Sequence, residues 1–148
     1  MIEQKSLQEL YAPNSICFGC GPANKNGLRI QSLVAPDEKS TFCTWTPQNY
    51  HEAFPGMLNG GIIGSLLDCH SNWTAAWHLM KTSNQTQPPC TVTAEFTVKL
   101  LRPTPSIKPV NLVAHVLQTT GSRVEIEASL QSEGQVCATC RGLFVAVK

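Results

Sequence analysis

The sequence predicts an α+β domain, with an antiparallel sheet of about five to six strands wrapped around one long central helix. One stretch opened by Asn59 keeps apolar residues at helical spacing, at 62, 63, 66, 67, 73, 76 and 77. After it, from Thr91 onward, the apolar period changes to two. The links among the last three of those alternating segments are hairpin-length.

Taken in order, residues 5–12 are expected to form one or two helical turns. Segment 13–27 is rich in Pro, Gly, Asn and Cys and reads as an ordered loop. Leu28, Ile30 and Leu33 alternate with polar residues as a first strand, and Thr41 to Thr46 form a second after a turn at Pro36-Asp37-Glu38. Residues 47–58 are expected to be loop, with Pro47, Pro55 and Gly56 as breakers. Asn59 is a good N-cap for the long helix, which should fade near Met80 because 82–89 is polar and ends in Pro-Pro. Strands follow at Thr91 to Leu101, Val110 to Val116, Val124 to Leu130 and 135–147, with turns at Gly121-Ser122 and Glu133-Gly134. One helix covers one face of such a sheet, so the remaining surface and a sheet edge invite self-association.

The 148 residues fit one domain over 1–148, large enough to bury a real core. Hydrophobic residues make up 42% and charged ones only 14%, which excludes a disordered chain. Net charge is +1 with no Lys/Arg cluster, so no nucleic-acid partner is expected. Asp68, His70, Asn72 and His78 interrupt the longest apolar region, so no membrane span is expected, and a cytoplasmic location is the default. Seven cysteines without a secretion signal read as reduced thiols, most of them small buried hydrophobes.

Residues Phe54 to Asp68 read FPGMLNGGIIGSLLD. This stretch resembles the PaaI-like hotdog thioesterases, whose pattern is Pro-Gly, then His-Gly-Gly opening the central helix, then an acid eight residues after the first Gly. The segments CFGCGPANKNGLRI from Cys17 and TVTAEFTVKLLRPTP from Thr91 extend the resemblance over roughly residues 17 to 147. It implies a hotdog fold and hydrolysis of acyl-CoA thioesters, with coenzyme A as part of the substrate and no cofactor. The assembly implied is a homodimer or a dimer of dimers. On the same match the Gly60 N–H polarises the carbonyl with Gly61 beside it, and Thr93 stands where relatives place a Ser or Thr. Phe54, Pro55, Gly56 and Arg102 are carried over as candidate substrate-binding residues.

Elementary chemistry supports the same assignment. The first N–H groups of a helix lack intrahelical partners, and glycines leave them unshielded for an incoming oxygen. The positive end of the helix dipole favours the oxyanion that thioester hydrolysis develops. Asp68 is the carboxylate that accepts a proton from water or attacks the carbonyl itself. It lies eight residues beyond Gly60, a rise of about 12 Å along a helix. Donor and base must each lie within roughly 3 Å of one reacting group, so one helix cannot supply both. The spacing therefore puts the site at a dimer interface, with Gly60 of one chain facing Asp68 of another.

Two departures from the family pattern stand out. Asn59 replaces His; it preserves capping but cannot titrate. Ala53 stands where some relatives carry a polar residue, with His51 or Glu52 as substitutes. Asn59 argues against a hydratase or dehydratase, to which His51 leaves an opening; a non-catalytic acyl-CoA or lipid binder is the alternative of another class.

Cys17-Phe-Gly-Cys20 and Cys137-Ala-Thr-Cys140 invite a zinc reading, but the second pair lies in a strand pattern that points its thiols to opposite faces. Cys69 and His70, adjacent on a helix, diverge and form no dyad, and His70 likewise diverges from Asp68. Trp73 and Trp77 are expected in the core or the wall of an acyl pocket. His78 and His115 read as helix-surface and strand residues. Lys99, Arg102 and Arg141 are candidates for the CoA phosphates or for plain solvated surface.

Overall fold

The computed structural model describes residues 4–147; residues 1–3 and 148 of the domain expected over 1–148 lie outside the described residues. A short helix α1 (Leu7–Tyr11) is closed by a capping box in which Ser6 and Glu9 satisfy each other's backbone. Strands β1 (Leu33–Val34) and β2 (Thr41–Trp45) follow. The hairpin β3 (Glu52–Phe54) and β4 (Met57–Leu58) then leads into helix α2 (Gly60–Thr82). The chain ends with four long strands, β5 (Thr91–Leu100), β6 (Val110–Thr120), β7 (Arg123–Ser132) and β8 (Gln135–Ala146).

Six strands form one antiparallel sheet in the order β1-β2-β6-β7-β8-β5, and α2 packs across one face of it. This is the hotdog arrangement. Alternation puts Val110, Leu112 and Ala114 of β6 and Val124, Ile126, Ala128 and Leu130 of β7 on the helix side, where they meet Ile63, Leu66, Leu67, Ala75 and Leu79 of α2. Burying each larger aliphatic chain is worth about 1.5–3 kcal/mol, so this face rather than intrinsic helix propensity holds α2 in place. Among the described residues no helix is long and apolar enough to cross a membrane.

Two expectations need correction. Residues 28–30 are buried but are not strand: Leu28 N and Ile30 N donate to the carbonyls of Phe18 and Gly19, and Trp45 Nε1 donates to Leu28 O. Their backbone partners lie in the preceding loop, so only Leu33–Val34 joins the sheet. The expected loop 47–58 holds a 3₁₀ turn (Asn49–His51) and the β3–β4 hairpin, with Pro55-Gly56 as its tip and Gly56 at φ +83°. The long helix ends near Met80 as expected, at Thr82, where Lys81 suits the negative end of the dipole and the Ser83 hydroxyl donates to Leu79 O at 2.6 Å.

A fully buried polar cluster ties the layers together. His70 of α2 has Nδ1 2.8 Å from Ser32 Oγ and Nε2 3.1 Å from Thr41 Oγ1, which in turn lies 2.6 Å from Thr74 Oγ1. Gln8 of α1 donates to Ser32 Oγ and accepts from Ser32 N. Burial lowers the His70 pKa to about 4, so the ring stays neutral and its role is architectural.

Candidate active site

Asn59 has extended backbone, φ −67° and ψ 136°, and its Oδ1 accepts from Ile62 N at 3.1 Å. The cap is itself fixed from behind, because Asn59 N donates to His51 O at 2.9 Å. Asn59 O accepts from Ile63 N. Among the described residues the N–H groups of Gly60 and Gly61 have no acceptor in the chain. They are the unshielded donors that the sequence places at the start of α2.

From that cap a stripe of residues four apart, Gly60, Gly64, Asp68 and Asn72, runs down the side of α2 that faces β5. A Cβ on Gly60 would lie 3.2 Å from Leu100 Cδ1, and one on Gly64 would lie 4.0 Å from Phe96 Cε2. Thr93 Oγ1 donates to Asp68 Oδ1 at 2.6 Å, and Asn72 Nδ2 donates to Thr91 O at 2.9 Å. A β-bulge between Thr93 and Glu95 makes this possible. Simple alternation would put Thr93 on the face opposite Phe96, Val98 and Leu100; the extra residue brings all four to the helix side.

Asp68 is half-buried. Burial raises its carboxyl above the usual range, while the Thr93 hydroxyl, bonded to the charged form, pulls the other way. The carboxylate is thus held in one orientation by a single short hydrogen bond and is partly stripped of water.

Three thiols gather beside it. Cys69 of α2 meets Cys17 and Cys20 of the 13–27 loop, with the Sγ atoms of Cys17 and Cys69 3.8 Å apart. The Cys20 thiol is lowered to about 6, chiefly by a hydrogen bond from Cys69, whose own thiol is pushed up by that bond and by burial. The four thiols of the two C-x-x-C pairs do not assemble: the clustered set takes its third member from the helix. Cys43, Cys137 and Cys140 are buried singly as small hydrophobes, and Cys90 is exposed.

The carried-over substrate residues are more scattered. Phe54 is exposed at the end of β3, and Pro55 and Gly56 form the hairpin tip. Glu52 is latched in place, accepting from Gly56 N at 2.7 Å and from Ser106 Oγ; both bonds hold its carboxyl below the ordinary value. It is engaged in holding the hairpin rather than replacing a polar residue at position 53. His51 accepts from Gln48 N at Nδ1 and packs against Trp45 and Tyr50. Arg102 donates to Gln135 Oε1 at 2.6 Å.

Lys99 and Arg141 line a groove of about 800 Å³ on the sheet face away from α2, with Glu95, His115 and Glu127. They do not share the face on which Asp68 lies. Trp73 is half-buried against the core, and Trp77 lies beside the β2–β6 end of the sheet with Lys39 and Val116. His78 Nε2 lies 2.8 Å from Thr119 Oγ1, and His115 is exposed beside Glu127.

No family model and no curated protein matches the sequence. Solved structures do match. A thioesterase superfamily protein from Shewanella loihica PV-4 is 26% identical with a TM-score of 0.69, over 86% of this chain and 98% of its own. The E. coli PaaI protein from the phenylacetic acid degradation operon is 18% identical with a TM-score of 0.67, over 82% of this chain and 81% of its own. A further thioesterase superfamily protein is 22% identical with a TM-score of 0.73, over 97% of this chain and 68% of its own. The chain has the hotdog fold, and its likeness reaches a thioesterase superfamily protein at 26% identity.

Proposed function

We propose that this protein hydrolyses acyl-CoA thioesters at a site shared between two chains. The observation that carries the proposal is Asp68 of α2, held by Thr93 of β5, on the same helix that opens with the unpaired N–H groups of Gly60 and Gly61. An oriented, half-buried carboxylate activates water or attacks the carbonyl; an unpartnered helix start receives the oxyanion. The two lie about 12 Å apart along α2, so each must work with its counterpart from a neighbour.

The edge of the sheet supports that pairing. β5 carries the Asp68 partner and, among the described residues, is hydrogen-bonded on one side only, to β8. Its helix-side residues Phe96 and Leu100 remain 42% and 58% exposed in the single chain, an apolar edge that a second copy would cover. The titratable group near the cap, His51, has Nδ1 committed to Gln48 and its ring against two aromatics, which gives the hydratase alternative little support.

The decisive test is thiol release over a panel of short, long and aromatic acyl-CoA esters. Asp68→Asn keeps the shape and should lower turnover by about 10²–10⁴-fold, the usual worth of a general base. Tight binding without release by the unmodified protein would make it an acyl-CoA binder, and a normal rate in the variant would remove Asp68 from the chemistry.

A further inference from the structure

We propose that Cys17, Cys20 and Cys69 form a three-thiolate site for zinc(II), which fastens the 13–27 loop to α2 beside Asp68. Their Sγ atoms all lie within 4.8 Å of one another, and those of Cys17 and Cys69 are 3.8 Å apart. A tetrahedral site with Zn–S bonds of about 2.3 Å has S···S edges of about 3.8 Å. A disulfide needs roughly 2.05 Å, so the observed separation matches ligands around an ion better than a bond about to close.

The local sequence is built for this arrangement. Cys17-Phe-Gly-Cys20-Gly21 has the C-x-x-C spacing of a zinc knuckle, and its backbone closes with Gly21 N donating to Cys17 O at 2.8 Å. A Cβ on Gly21 would lie 2.4–2.7 Å from backbone atoms of Ser15 and Cys17, so the turn admits no side chain there. A Cβ on Gly19 would lie 2.4 Å from Cys69 Sγ; glycine at that position lets the knuckle settle directly onto the helix thiol. The loop is also held without a metal, through Ala23 N to Ser15 O and Leu28 N to Phe18 O, so the sulfur positions are preorganised.

The surroundings fit a ligand set as well. Trp73 Nε1 donates to Cys20 Sγ at 3.4 Å, an outer N–H···S contact of the kind that orients a thiolate ligand. Cys20 is buried, Cys69 is half-buried and Cys17 is exposed, so the cluster is reached from solvent and leaves a fourth position for water. Soft thiolates select d¹⁰ ions over magnesium or calcium. The ion would crosslink two segments 49 or more residues apart in sequence (20 to 69), next to the candidate base but without touching substrate.

The proposal stands apart from the thioesterase reading, and its test does not use activity. The full chain, reduced and stripped with a chelator, is titrated with cobalt(II) and then zinc(II) while absorption is followed. One cobalt per chain is expected, with a thiolate-to-cobalt charge-transfer band that one equivalent of zinc abolishes. Cys17→Ser and Cys69→Ser should each weaken uptake beyond the roughly 10–100-fold of an outer-shell change, while Cys90→Ser leaves it unaltered. Cys17 is exposed, so its replacement does not threaten the core, and circular dichroism checks that the variants fold. A wild-type chain that shows no thiolate band, or one whose band survives both replacements, overturns the site.

Discussion

A carboxylate that activates water must be ionised and yet basic, and the environment of Asp68 works on both requirements. Burial raises its pKa and so its basicity; the Thr93 hydroxyl favours the charged form and keeps it ionised. As pH falls through that raised pKa the base gains a proton, so kcat/KM should fall on the acid side with a midpoint above the ordinary carboxylate range. Thr93→Val keeps the shape and removes the donor that lowers the pKa. The acid limb should then move to higher pH, and kcat at neutral pH should fall about tenfold through lost positioning. A pH–rate profile of the two proteins checks this, and an acid limb at the same pH in both would show that Thr93 does not act on the base. Folding pays for this arrangement only in part, since a half-desolvated carboxylate is less comfortable at neutral pH than a solvated one.

At the scale of elements, the proposed site rests on the helix start and the edge strand. Gly60 is the first residue of α2, the position at which proline is tolerated best because its N–H is unpaired anyway. Asn59 already holds the extended conformation that a following proline demands, and a ring there would meet the flexible end of Leu100. Gly60→Pro therefore removes one N–H and leaves the helix standing. If that N–H receives the oxyanion, kcat should fall by about 10²–10³-fold with far-ultraviolet circular dichroism unaltered; activity within a factor of a few would assign the donor elsewhere. Most of this element was legible beforehand. Asn59, the two glycines and the apolar spacing locate α2 because caps and periodicity are local physics. The bulge in β5 was not legible: Val92, Ala94, Phe96, Val98 and Leu100 alternate without a break in the sequence, and strict alternation sends Thr93 to the wrong face. In the sequence, only the family resemblance points to Thr93. The 28–30 segment misled in the opposite sense, because alternation reports burial and not the identity of the hydrogen-bond partner. The Cys17–Cys20–Cys69 cluster was half legible, since C-x-x-C is a local signal while its third thiol comes from a residue 49 positions on (20 to 69).

For the whole molecule the question is whether one chain contains a complete site, and helix geometry gives a test that does not depend on which ester is the substrate. Gly60 and Asp68 belong to one rigid helix, so no loop movement brings them to a common carbonyl. The free edge of β5 carries Thr93, Phe96 and Leu100 along the same flank, so a second copy added there would cover apolar surface and bring a second stripe of Gly60 and Asp68 close to the first. If the site is shared, two differently crippled chains repair each other. A dimer of one Asp68→Asn chain and one Gly60→Pro chain has one site built from the intact Gly60 of the first and the intact Asp68 of the second, and one site lacking both. Dissociating the two variants and mixing them in equal amounts makes about half the dimers mixed, each with one of two sites whole, so activity should return to about a quarter of that of the unmodified protein. Neither variant alone should approach that level. Sites complete within single chains would give no recovery on mixing, because every chain in the mixture carries a lesion in its own site. Absence of recovery, with mixed dimers shown to form by a mass tag on one variant, would place donor and base on the same subunit and leave the 12 Å or so between them without a catalytic explanation.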